Sequence, residues 1–194
     1  MVLSSVGAII VQLKNFYEAT VNLDAGLNTF SLPLNDPRVS RLSDLASLIG
    51  PEVMMIISYD TAAKKFVTHM FNTPSTSPTN VAVKGGVGYI VMMKAAKSVT
   101  FQGLAWSGDI SLSVGLNLIS IPVNPGPWRL SDLVNFIGPE VMMIISYDTV
   151  AKKFVSHMSN TPPTSPTNVA IKGGVGYIVM MKAAKSVTFT GEAW

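Results

Sequence analysis

Residues 41–106 read RLSDLASLIGPEVMMIISYDTAAKKFVTHMFNTPSTSPTNVAVKGGVGYIVMMKAAKSVTFQGLAW, and residues 129–194 read RLSDLVNFIGPEVMMIISYDTVAKKFVSHMSNTPPTSPTNVAIKGGVGYIVMMKAAKSVTFTGEAW. Aligned without a gap at an offset of 88, the two stretches differ at only ten of 66 positions. A repeat this plain decides the architecture before any motif is considered. The chain is two copies of one unit, residues 21–106 and 109–194. Units this small bury a modest share of their surface, so contact between neighbours should help both. Residues 1–20 stand apart, as an N-terminal strand or as the tail of a degenerate preceding unit, since Val6–Lys14 loosely repeats Val87–Lys94.

Composition narrows the class. The 194 residues are 48% hydrophobic and 13% charged, with a formal net charge of +3. The apolar content comes in short runs broken by Gly, Pro, Ser, Thr and Asn, a β-rich pattern. No run approaches the roughly 18 apolar residues that span a bilayer as a helix, so no membrane insertion is expected. The lysines are scattered rather than clustered, which argues against a nucleic-acid surface. The absence of cysteine removes disulfides, thiolate metal sites and cysteine nucleophiles. The apolar start lacks the basic region and cleavage site of a signal peptide.

Along one unit, Val21–Asp24 and Leu27–Leu32 alternate on either side of Ala25-Gly26, which reads as a hairpin. Leu42, Leu45, Leu48 and Ile49 share one face of a short helix, stopped by Gly50 and Pro51. Val53–Tyr59 is a continuous apolar run, read as a strand covered on both faces. Asp60 opens a turn, and Lys65–Met70 returns as the hairpin partner. Residues 72–80 form a polar, proline-stiffened loop, and Tyr89–Met93 is a second apolar strand. Ser98–Phe101 closes the unit. The expectation is mainly β: two homologous small barrels or sandwiches, each of about six strands and one short α-helix.

Chemistry-like signals are weak. Gly85-Gly86-Val87-Gly88 precedes a strand, whereas a phosphate loop must open a helix, so a turn or bulge is expected. His69 and His157 have no acid at ligand spacing, and no acid pair suited to glycosidic chemistry appears. No catalytic residue, metal site or cofactor is expected. Ten of the eleven methionines fall in the repeats; thioethers are soft ligands for copper(I), but adjacent strand residues point to opposite faces, so packing is expected instead. Trp106 and Trp194 end the two units and are expected to pack between units. Trp128 is unique to the second copy and, with Thr73, Pro74, Thr76, Pro78, Thr161, Pro162, Thr164 and Pro166 of the two loops, makes the candidate partner contact.

The series GLNLISIPVNP (115–125), SYDTVAKKFV (146–155), GGVGYIVMMK (173–182) and SVTFTGEAW (186–194) resembles a class of tandem β modules in large secreted and cell-surface proteins of environmental bacteria and archaea. The likeness covers about residues 20–194. The first unit departs from the pattern at Thr29-Phe30 and Leu34. The shared motifs are turn and core residues, and the class offers no catalytic residue to carry over. The resemblance implies an extracellular or cell-surface, non-enzymatic structural or adhesive role. Its partners would be neighbouring units or other surface proteins, with polysaccharide binding as the alternative.

Overall fold

The computed structural model describes residues 16–194 and is mainly β, with twelve strands in four sheets and two short helices. The first unit runs β1 (Tyr17–Leu23), β2 (Gly26–Ser31), α1 (Leu42–Ile49), β3 (Val53–Asp60), β4 (Lys65–Met70), β5 (Gly88–Met93) and β6 (Lys97–Gly103). The second runs β7 (Asp109–Leu112), β8 (Gly115–Ser120), α2 (Leu130–Ile137), β9 (Val141–Asp148), β10 (Lys153–Met158), β11 (Gly176–Met181) and β12 (Lys185–Thr188). Each unit combines a four-stranded antiparallel sheet, ordered β2-β5-β3-β4 or β8-β11-β9-β10, with a two-stranded ribbon, β1-β6 or β7-β12. Neither sheet closes into a barrel. Residues 17–20 lie inside β1 and pair with β6, so the first unit begins earlier than the repeat alone suggested. The rest of the proposed N-terminal segment, residues 1–15, lies outside the described residues.

The expected hairpin at Gly26 does not form. β1 pairs with β6 and β2 with β5, in antiparallel ladders that run from Tyr17 opposite Gly103 to Ser31 opposite Gly88 with a one-residue shift at the corner. The two alternating runs are one long strand bent at a corner. Gly26 takes φ +92° there, which favours glycine. Asn28, at a buried position, folds its amide back over the bend. Its Oδ1 accepts the Asp24 N–H (2.9 Å), and its Nδ2 donates to the carbonyls of Asp24 (2.7 Å) and Gly26 (3.2 Å). Asn117 repeats this with Ser113 and Gly115. The amide supplies the hydrogen bonds that the bend takes from the ladder. A hairpin and a bent ladder have the same period of two, so alternation alone cannot separate them.

Each core lies between the sheet, the ribbon and the helix. α1 buries Leu42, Leu45, Ala46 and Ile49 against Phe30, Ile56, Val91 and Phe101. Its first turn is satisfied from two directions. The Asp44 carboxylate accepts the N–H groups of Ser40 (3.1 Å) and Arg41 (2.9 Å) and the Ser40 hydroxyl (2.6 Å). The Asn80 side chain, from the distant loop, accepts the Ser43 N–H (2.9 Å). β3 is not covered on both faces as expected. Val53, Ile56 and Ser58 are buried, Met55 and Ile57 are half-buried, and Met54 is exposed beside a bulge.

The units pair through reciprocal contacts. Ser31 N–H donates to the Gly174 carbonyl (2.9 Å), and its counterpart Ser120 N–H donates to the Gly86 carbonyl (3.0 Å). A Cβ on Gly88 would lie 2.6 Å from the Ile119 carbonyl oxygen, and one on Gly176 would lie 2.7 Å from the Phe30 carbonyl oxygen. Each unit therefore presents the same surface to the other, an isologous contact about a pseudo-two-fold axis. Such a contact closes on itself, so a further unit cannot be added through it.

Candidate binding grooves between the units

The Gly-Gly-Val-Gly segments that resemble a phosphate loop are the seam of this pairing. A methyl group on Gly85 would overlap the Trp106 ring, and one on Gly173 would overlap Trp194. Gly86 and Gly174 face Ile110 and Val21 of the opposite unit. Bare backbone at these positions lets the units approach closely. On either side of the axis the approach leaves a groove, of about 590 Å³ and 690 Å³ respectively.

The first groove is lined by Tyr59, Asp60, Lys84 and Gly86 from unit one and by Asp109, Ser111 and Asn117 from unit two. The second has Tyr147, Asp148, Lys172 and Gly174 at the equivalent places, with Thr20, Asn22 and Asn28 from unit one opposite. Tyr59 and Tyr147 are half-buried and pack on Phe66 and Phe154, with ring centroids 5.0 Å apart in both units. Asp60 and Asp148 each spend one oxygen on the adjacent turn, accepting two backbone N–H groups at 2.9–3.0 Å. The Ala151 N–H, foremost, and the charges of Lys153 and Lys172 hold the Asp148 carboxyl below its ordinary value. At the back of each groove Tyr89 or Tyr177 is buried, accepting the N–H of Lys84 or Lys172. Burial pushes both phenols up to about 12, so they remain neutral.

This is a hydrogen-bonding surface with an aromatic rim. Among the described residues no group of three His, Cys, Asp or Glu side chains gathers to hold a metal ion, and no helix is long and apolar enough to cross a membrane. His69 and His157 are buried. Loss of solvation lowers their pKa, and each Nδ1 meets a loop hydroxyl, Thr79 or Thr167, at 3.2 Å. They tie the polar loops to β4 and β10.

The residues singled out from the sequence lie elsewhere. Pro74, Thr76 and Pro78 are exposed and Thr73 is half-buried; Pro162, Thr164, Pro166 and Thr161 match them. Each loop is a chain of hydrogen-bonded turns ending in Asn80 or Asn168, which also binds the helix N-terminus. Trp128 packs on Phe136 (5.1 Å between centroids) and Phe189 (6.4 Å) and lines neither groove. Trp106 lies on Gly85 and Gly86 and packs against the core of unit two. Trp194 lies on Gly173 and donates its indole N–H to the Ile121 carbonyl (2.7 Å), both within its own unit. The grooves escaped the sequence because each draws its walls from both units. The glycine segment was the only local signal. Comparison of the chain with protein-family models, curated proteins and solved structures returned no match.

Proposed function

We propose that the chain is a non-enzymatic structural and interaction module of a secreted or cell-surface protein, with the two units acting as one block. The reciprocal pairing carries this reading: it makes two equivalent polar grooves on one body, the arrangement of a bivalent contact rather than of a catalytic centre. Of the acids there, Asp60 and Asp148 are engaged in turns and Asp109 with the Thr188 hydroxyl, while Asp24 lines the second groove. The sequence resemblance supports the extracellular setting. A second reading, carbohydrate binding, is favoured by the half-buried Tyr59 and Tyr147 beside Asn and Asp side chains, a combination suited to a sugar's apolar face and hydroxyls. The test is a glycan array probed with the chain and with Tyr59→Ala/Tyr147→Ala. Saturable binding that this variant loses selects the carbohydrate reading. Turnover of a polysaccharide that the variant abolishes would overturn the non-enzymatic one.

A further inference from the structure

Strand register brings together methionines that are far apart in sequence. On the sheet of unit one Met70, Met55 and Met92 lie side by side across β4, β3 and β5. In unit two Met158, Met143 and Met180 occupy the same row of β10, β9 and β11. The row turns away from the core. The neighbouring row on the opposite face, His69, Ile56, Val91 and Asn28, is buried. Met55 and Met92 are half-buried, while Met70 is 47% exposed and Met158 48% exposed, so the row is open to a small solute.

We propose that each methionine row binds one soft monovalent cation, copper(I), through its thioethers. Neighbouring strands lie about 4.8 Å apart. Three sulfurs around one ion, at metal–sulfur distances of about 2.3 Å, would stand about 4 Å from each other. The outer two side chains start about 9.6 Å apart and must each lean inward by about 3 Å at their tips, a reach that methionine's three rotatable bonds give. Thioethers select soft ions, and no carboxylate or imidazole belongs to the row to recruit a hard one. The adjacent row, Thr68, Ile57 and Ile90, shows that this face also accepts β-branched residues, the usual strand formers. Alternation within a strand, which argued against a thioether site, does not bear on residues gathered from three strands.

The experiment uses the full chain, isotope-labelled at its methionine methyl groups and titrated with silver(I) as a diamagnetic probe in chloride-free buffer. The methyl signals of Met55, Met70, Met92, Met143, Met158 and Met180 should shift together and saturate at two ions per chain. The core methyls of Met93 and Met181, buried on the other face, should hold their positions. Met55→Leu conserves volume and removes the middle ligand, so unit one should bind at least about tenfold more weakly while unit two is unchanged. Copper(I) under anaerobic conditions should give the same stoichiometry, and zinc(II) no shift. Drifting, non-saturating shifts, or two tight ions still bound by Met55→Leu/Met143→Leu, would overturn the proposal.

Discussion

The segments that enter the helices differ more than any other part of the two units. In unit one, Asp36 is buried and accepts the N–H of Gln102 (2.9 Å) and of Arg38 (3.0 Å), together with two bonds from the Arg38 guanidinium. In unit two that segment is one residue shorter and carries Pro125, Gly126 and Pro127 instead. There Trp128, Phe136 and Phe189 form a cluster of mutually tilted rings where unit one has Ser40, Leu48 and Phe101. One corner of the fold is thus locked by a charged hydrogen-bond hub in one copy and by aromatic burial in the other. The strand order of the four-stranded sheet and the length of the helix around it are the same in both copies. Packing of the whole unit specifies the corner's path, and the local chemistry only has to close it.

The strongest way to break the comparison is at the surface the units share. Gly88→Val and Gly176→Val each force a side chain into backbone of the opposite unit, and each should cost about 3 kcal/mol. The two losses in thermal or denaturant unfolding should be close to equal. A large loss for one and none for the other would deny the two-fold relation.

The corner comes next. Asp36→Ala leaves the Gln102 N–H without its acceptor and should destabilise by about 2 kcal/mol. Trp128→Ala, removing a half-buried ring, should cost about 1.5 kcal/mol. Adding Leu48→Phe and Ser40→Trp to Asp36→Ala should recover part of the loss if the two devices are interchangeable. No recovery in equilibrium unfolding would mean that they are not.

A smaller effect lies at the pairing surface, where Thr29 of unit one stands in the place of Leu118. Both are buried, but the Thr29 hydroxyl has no hydrogen-bond partner. Thr29→Val removes that hydroxyl and should raise stability by about 1 kcal/mol, read as a higher unfolding temperature. A drop instead would show that the hydroxyl is satisfied in solution.

The mildest probe is pH. The folded-state pKa values of His69 and His157 are lowered from 6.5 by burial. As pH falls below 6.5 the unfolded chain takes up protons first, so stability should decline until the folded histidines titrate. His69→Gln/His157→Gln should flatten that slope. At more acid pH a second decline should appear. Burial pushes Asp36 up, but the hydrogen bonds from Arg38 and Gln102 outweigh it and leave its pKa below 3.8. Its contribution is therefore present above 3.8 and lost as pH falls through the folded value. Asp36→Ala should weaken this step, and unit two has no counterpart to it.

Legibility followed the range of the interactions. The helix at Leu42–Ile49, its stop at Gly50, the Asx turn at Asp60 and the β3–β4 hairpin are written in neighbouring residues, and all appear as read. So does the two-unit plan, because a repeat is a property of sequence alone. The bend at Gly26 was misread, since a strand's partner is chosen by the rest of the chain and not by its own alternation. The polar Asn28, at a core position, was the unused clue.

Tertiary structure alone decided three things. It joined the units face to face, because the bare backbone of Gly88 and Gly176 meets main chain from the other unit. It built the grooves, whose walls belong to both units and so to no continuous stretch of sequence. It set Met55, Met70 and Met92 in one row, because register across strands is determined by which faces are buried and where the bulge at Met54 falls. Local propensities name the elements, but relations between distant elements are chosen by the burial and hydrogen bonding of the whole molecule.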